Sequence, residues 1–368
     1  MAARTWLLFS LLAILLVPAF LLCPAPACCP AGRSGKPVVN ADQTVIMIWD
    51  PDTKMQHFIR QASFKSEADD FGFLVPSPSE PELSESGNEA FPYLLKLTEP
   101  ETKKVQRPLG GMGCGCGASG VKSGDVKSAA NSALPQSVVV LQDKLVAGFQ
   151  AVVLKASSAD ALTGWLKDHD YAFSPEVQAW AKPYIDGGWK ITALKVAKQK
   201  TGEDKKSVNA ASLRLSFKTD RPLFPYREPD YKNQTSALGV SNRLLRIYFL
   251  AEARYQGELA QEAKWTGEVA WANSIKPEDR QRLLEMLKLP EKTGPAEWWL
   301  TEFEDNWPYQ IAPADVYFSR ASDQNSVKRP PIIRYVSSRM PSDASVFGFA
   351  VVLAVPLIVR ARRRLWKR

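Results

Sequence analysis

Residues 158–197, SADALTGWLKDHDYAFSPEVQAWAKPYIDGGWKITALKVA, carry the clearest local signals in the chain, and the fold is read outward from them. Ser158 is placed to cap a helix in which Leu162, Trp165, Leu166 and His169 share one face at i, i+3, i+4, i+7 spacing. Ser174 caps a second helix. Pro175 takes its first position, where a missing N–H costs nothing, and Val177, Trp180 and Tyr184 continue one face. Asp186-Gly187-Gly188 ends that helix, and residues 189–197 resume as a strand. The spacing therefore predicts a helical hairpin over 158–187 feeding directly into a sheet.

Either side of this unit the pattern is strand-rich. Residues 45–49 (VIMIW) form a short apolar run closed by the turn Asp50-Pro51-Asp52, and a second run over 55–64 makes a hairpin with it. Residues 71–75 (FGFLV) read as a strand that Pro76 and Pro78 stop. Val-rich residues 137–156 hold two strands, 213–217 alternate cleanly, and 244–251, 298–303 and 316–318 read as further strands. Residues 277–288 (PEDRQRLLEMLK) read as a helix. Strand pairs interspersed with a helical hairpin, without regular β-α alternation, predict an α+β fold with a largely antiparallel sheet. Residues 100–136 are rich in Gly, Ser and Lys and carry little periodicity. They mark a long loop or a boundary inside a body spanning 28–340.

The two ends set the expected compartment. Arg4 precedes an apolar run over 6–22, which is followed by Ala25-Pro26-Ala27, the pattern of a signal peptide cleaved after residue 27. An uncleaved anchor, or lipidation of Cys28, are the alternatives. Near the other end, residues 344–359 (ASVFGFAVVLAVPLIV) lack charge and run into the basic tail 360–368. They predict a transmembrane helix with its C-terminus cytoplasmic and the body outside. The formal charge of the whole chain is +8. Arg4 and the six positive residues of the tail account for seven of those charges, leaving +1 on residues 28–343. A nucleic-acid partner needs a basic stripe on the folded domain, so the balance argues against one.

Leaving out Cys23 of the signal, four cysteines remain: Cys28, Cys29, Cys114 and Cys116. In an oxidising compartment an even count points to disulfides, and bridging Cys28 to its neighbour Cys29 would force a strained ring. Cross-pairing the early cysteines with Cys114 and Cys116 is the better expectation. A four-thiolate metal site is the rival, but the C-C and C-x-C spacings lack the usual two intervening residues and no His supports them. Residues 115–120 satisfy G-x-G-x-x-G without the preceding strand that a dinucleotide site requires, so neither a cofactor nor a metal is expected.

Chemistry-bearing residues are few. His57 and His169 are the only histidines available to a Ser-His-Asp arrangement, and no G-x-S-x-G elbow accompanies either. Asp69-Asp70 and Glu302-Phe303-Glu304-Asp305 could supply paired carboxylates for hydrolysis, although solvated acidic turns are the commoner role for such clusters. Calcium is conceivable at such acids, but the ordered D-x-D-x-D-G pattern is missing. Trp298, Trp299 and Trp307 crowd a segment that could line a carbohydrate or peptide surface; aromatic core is the plainer reading of these and of Trp165, Trp180 and Trp189.

Several stretches in order resemble bacterial domain-of-unknown-function 2330 proteins: Asp70-Phe71-Gly72-Phe73-Leu74-Val75-Pro76-Ser77-Pro78, the segment from Ala159-Asp160-Ala161-Leu162 through Trp180, Pro183-Tyr184 and Gly188-Trp189-Lys190, and Arg221-Pro222-Leu223-Phe224-Pro225-Tyr226-Arg227. The resemblance implies an exported, membrane-associated bacterial protein and supplies no catalytic residues. The expected function is a membrane-anchored extracytoplasmic domain that binds or organises envelope components, with an envelope protein or a glycan as partner. The alternative is an exported enzyme, either a carboxylate-dependent hydrolase or a thiol oxidoreductase using Cys114 and Cys116.

Overall fold

Apolar runs with no alternation become strands covered on both faces. The computed structural model describes residues 29–31, 43–60, 63–64, 72–106, 137–169, 171, 174–196, 208–209, 212–230, 242–260, 263–308 and 312–336. Contacts divide the chain into a larger unit, 1–99 with 130–329, and a smaller one, 100–129 with 330–368.

In the larger unit, five strands pair antiparallel in the order β1 (Cys29–Ala31), β5 (Gly72–Ser77), β10 (Lys190–Val196), β9 (Phe149–Ala156) and β8 (Val138–Val146). Successive side chains point to opposite faces. Phe73, Val75, Phe149, Ala151, Val153 and Leu194 go to one core, and Leu74, Val152, Leu154, Ile191 and Ala193 to another. That second face is covered by helices α2 (Ala159–Asp168) and α3 (Pro175–Asp186), through Leu162, Leu166, Val177, Trp180 and Tyr184.

A seven-stranded sheet follows the order β16 (Glu268–Ser274), β17 (Trp299–Pro308), β14 (Asn242–Ala251), β2 (Gln43–Asp50), β3 (Met55–Arg60), β12 (Ser212–Lys218) and β6 (Glu82–Ser86). All its pairs are antiparallel except β14 with β2. One face presents Val45, Met47, Phe58, Ile247, Phe249 and Phe303 to the core shared with the five-stranded sheet. The other presents Ile46, Ile48, Ile59, Tyr248, Leu250 and Leu300 beneath helices α1 (Ala90–Leu97) and α4 (Pro277–Met286). A three-stranded sheet, β13 (Leu223–Phe224), β18 (Val316–Arg320) and β15 (Tyr255–Leu259), adds Phe224, Phe318 and Tyr255 to the shared core. The short pair β4 (Ser63–Phe64) and β11 (Val208–Asn209) completes this unit. In the smaller unit, β7 (Thr102–Gln106) and β19 (Ile332–Val336) run parallel.

The α+β expectation is corrected: the chain is mostly β, built from several sheets, and among the described residues its four helices are short covers on outer sheet faces. Helices α2 and α3 carry serine caps and clear periodicity, which made them conspicuous in the sequence, whereas α1 has no side-chain cap and was not legible there. The strands that outnumber them, such as β6, β15 and β16, are short or broken in pattern. The C-terminal transmembrane helix included in that expectation is not supported. Among the described residues no helix is long and apolar enough to cross a membrane, and residues 344–359 lie outside them. The signal segment 1–27 and the tail 360–368 also lie outside the described residues. Nor does Pro76 stop its strand. β5 runs on through it to Ser77, paired with β10 along its whole length, while among the described residues β1 reaches only Gly72 to Leu74.

The helical hairpin forms as its spacing requires. Ser158 Oγ accepts from the Ala161 amide at 3.0 Å, and Ser174 Oγ from that of Val177 at 3.4 Å. At the end of α3, Gly188 adopts φ 76°. The Gly188 and Trp189 amides then donate back to the Ile185 and Tyr184 carbonyls, both at 2.9 Å, while the Trp189 ring lies 5.3 Å from that of Tyr184. This is the glycine-ended helix stop in which a hydrophobic contact locks the turn into β10. Ser158→Ala is expected to cost about 1 kcal/mol in urea unfolding, the usual loss for a cap of this geometry; an unchanged midpoint would show that the cap contributes nothing.

Candidate functional site

The acidic run 302–305 belongs to strand β17, where alternation separates its members. Glu302 and Glu304 share the helix-covered face with Leu300, while Asp305 joins Phe303 on the opposite one. On β14 the register sets Arg246 opposite Glu304 and Tyr248 opposite Glu302. Arg329 reaches the same place from the segment after β18, which is pinned to the sheet by a two-way backbone bridge between Ala272 and Val327 at 2.8 Å. A bulge between Val269 and Trp271 lets β16 send Val269 to the shared core and Trp271 to the side of Glu302.

Two guanidiniums therefore converge on two carboxylates. Arg246 Nη2 and Arg329 Nη2 donate to Glu304 Oε1 at 2.6 and 2.8 Å, and Arg329 Nη1 to Glu304 Oε2 at 3.3 Å. Glu302 is fully buried; its Oε1 lies 3.0 Å from Arg246 Nε and 2.8 Å from Arg329 Nη2. These are ion-pair distances without hydrogen-bond angles, so Glu302 is held by charge while Glu304 takes the directed bonds. Burial pushes the Glu302 carboxyl above the usual carboxylate range, against the pull of Thr98 and both arginines. Burial acts on Glu304 the same way, but the hydrogen bonds from Arg329 and Arg246 outweigh it and hold its carboxyl low. The Tyr248 hydroxyl, opposite Glu302 and equally buried, is raised by burial and by that carboxylate.

A second buried network centres on the segment 221–227. Asp315 Oδ1 accepts from the Tyr184 hydroxyl at 2.7 Å and the Arg227 amide at 3.1 Å, while Trp180 Nε1 donates to the Arg227 carbonyl at 2.9 Å. Asp305 accepts from the Tyr226 hydroxyl at 2.5 Å and from Thr266 at 2.9 Å. Burial raises the Asp315 carboxyl despite these donors, and it pushes the Tyr184 phenol well up. Trp180, Tyr184, Tyr226 and Asp305, all named from the sequence, and Asp315, which was not, together knit helix α3 to β17 and β18.

His57 Nδ1 lies 2.8 Å from Ser216 Oγ across the β3–β12 pair. Burial, aided by the Arg214 charge and opposed by Asp50, lowers the imidazole to about 4, so it is neutral at pH 7. His169 ends α2 with Nδ1 2.8 Å from the Trp165 carbonyl and its ring stacked on Trp165 at 3.9 Å. Trp180 and Trp298 are core residues; Trp165, Trp189 and Trp299 are half-buried. The Trp307 side chain and Asp69-Asp70 lie outside the described residues, as do Cys28, Cys114 and Cys116, while Cys29 is described only as backbone in β1. Among the described residues no group of acids, histidines and cysteines is placed to hold a metal ion.

Sequence reasoning singled out Glu302, Glu304, Asp305 and His57 but not their partners. Arg246, Tyr248 and Ser216 are joined to them by strand register, Thr98 by the end of α1 and Arg329 by the segment after β18, none of which spacing along one chain displays.

No curated protein matches the chain. Among solved structures, the crystal structure of baculovirus P35 aligns over 79% of this chain and 96% of that one, at 10% identity and a TM-score of 0.29, a likeness that carries no argument. The family model for DUF2330 matches residues 23–319, which include each of the stretches quoted from the sequence. The chain thus belongs to the DUF2330 family, described as uncharacterized proteins conserved in bacteria.

Proposed function

We propose that the protein is an exported domain, working outside the cytoplasm at the cell membrane, that binds or organises envelope components. The observation carrying this reading is the use made of its acids: Glu302, Glu304, Asp305 and Asp315 are each engaged inside the fold with arginines, tyrosines or backbone amides. Carboxyls as buried as Glu302, Asp305 and Asp315 are closed off from a substrate, and Glu304 is committed to two arginines, so these residues support a role in holding strands and helices together rather than exchanging protons with a ligand. Export is supported by Arg4, the apolar run 6–22 and Ala25-Pro26-Ala27, and the near-neutral charge of residues 28–343 suits a protein or glycan partner better than a nucleic acid.

Protease added to intact spheroplasts producing the full chain is expected to digest the body while a cytosolic marker survives. A body protected together with that marker would overturn the reading. Cosedimentation of the purified body with isolated cell-wall sacculi then separates a glycan partner from a protein one.

A further inference from the structure

The pairing of His57 with Ser216 is tied to none of the buried networks above. Four strands contribute one residue each to a single row across the sheet: Ile48 from β2, His57 from β3, Ser216 from β12 and Glu82 from β6. The preceding row, Ile59, Arg214 and Ser84, is closed over, because Arg214 Nη1 donates to the Leu287 and Lys288 carbonyls at 2.8 and 3.2 Å, just after α4. His57 and Ser216 lie one row further out, half-buried, at the margin of that cover, and Glu82 beside them is exposed. A hydroxyl and an imidazole thus meet at 2.8 Å, each only partly covered, beside the exposed Glu82.

We propose that Ser216 is a nucleophile, with His57 as its general base, that accepts an acyl group from an activated ester. As the Ser216 Oγ–carbonyl bond forms, the hydroxyl proton passes to His57 Nδ1. The bond from the carbonyl carbon to the leaving oxygen then breaks, and that oxygen takes the proton from the imidazole. The products are O-acyl Ser216 and a free alcohol, with His57 again neutral. Such chemistry needs a nucleophile and base within hydrogen-bond reach, and the base must be unprotonated. The charges acting on the imidazole are Asp50 on β2 and Arg214 on β12, with Glu82 on β6 opposite Ser216; burial and Arg214 prevail, lowering His57 to about 4 so that it is neutral at pH 7. The inference goes beyond binding and does not depend on it.

The test treats the purified full chain with a fluorophosphonate, followed by intact mass and peptide mapping. One adduct is expected, on Ser216. It should be absent from Ser216→Ala and to form roughly 100-fold more slowly in His57→Gln, the lower end of general-base contributions. The rate at pH 5.5 should stay close to that at pH 7.5, whereas an ordinary histidine would be mostly protonated there. An unlabelled wild type, an adduct elsewhere, or His57→Gln labelling at the wild-type rate overturns the proposal. None of these results bears on the spheroplast experiment.

Discussion

Arg246→Ala is expected to destabilise the fold by about 3 kcal/mol at pH 7, near the low end of the cost of breaking a buried ion pair. Two facts place it there. Glu302 is wholly buried and loses one of its two cations, which is the expensive part of the change. Arg329 remains at 2.8 Å, and Glu304, about a fifth exposed, can recover water, which limits the damage. The loss is also pH-dependent in a definite direction. Burial already raises Glu302 in the folded state, and removing Arg246 raises it further. A carboxyl whose folded pKa lies above its unfolded one destabilises the fold when ionised, and this penalty is relieved as the pH falls through the folded value. Urea unfolding at pH 7.5 and at pH 5 should therefore show the gap between wild type and Arg246→Ala narrowing at the lower pH. Glu302→Gln in the Arg246→Ala background should recover part of the stability at pH 7.5, since it removes the stranded charge. An equal gap at both pH values would mean that Glu302 is not the residue left unpaired.

The way this cluster is built explains why the sequence showed half of it. Glu302-Phe303-Glu304-Asp305 stands out as an acidic run, but whether it is a solvated turn or a strand depends on what flanks it in space. Val269, Phe303 and Phe249 make it a strand by supplying a core on one face, and Arg246 and Arg329 neutralise the other. Arg246 lies far from Glu302 in sequence, and Arg329 arrives from an irregular segment. The helices behaved differently. Ser158, Ser174 and Gly188 act within a few residues of themselves, so the hairpin and its stop were legible from spacing alone. Strands buried on both faces, such as β2 and β9, were also legible as continuous apolar runs. β6 (ELSES) and β16 (EVAWANS) were not, because β6 is polar and a bulge breaks the alternation of β16. Weakly patterned elements such as these add to strands already legible in the sequence, and together they outweigh the helices and overturn the α+β reading.

Trp298→Ala should have the larger effect, about 4 kcal/mol, the usual range for emptying a buried aromatic site. Trp298 is 1% exposed and packs with Ile46, Ile48, Leu250, Leu283 and Leu300, so it joins the sheet to α4. Its indole also carries the Arg280 guanidinium 5.0 Å from the ring centre. That guanidinium in turn holds the loop after α4 by donating to the Glu291, Thr293 and Pro295 carbonyls, each at 3.1 Å. Removing the ring thus creates a cavity and frees the group that fastens the loop. The loop backbone approaches closely: a β-carbon on Gly294, which has φ 70°, would stand 3.2 Å from Trp298 Nε1. That ring nitrogen is buried without an acceptor, an unfavourable element in an otherwise well-packed residue. Trp298→Phe deletes the orphaned donor along with some volume, so the two effects oppose each other and the expected loss is only about 1 kcal/mol. Arg280→Ala should fall between the two, because it releases the loop but leaves the core filled. Urea unfolding of the three variants checks the order. If Trp298→Phe cost as much as Trp298→Ala, the indole nitrogen would have to be satisfied in solution, and the stability of this region would rest on a hydrogen bond rather than on packing.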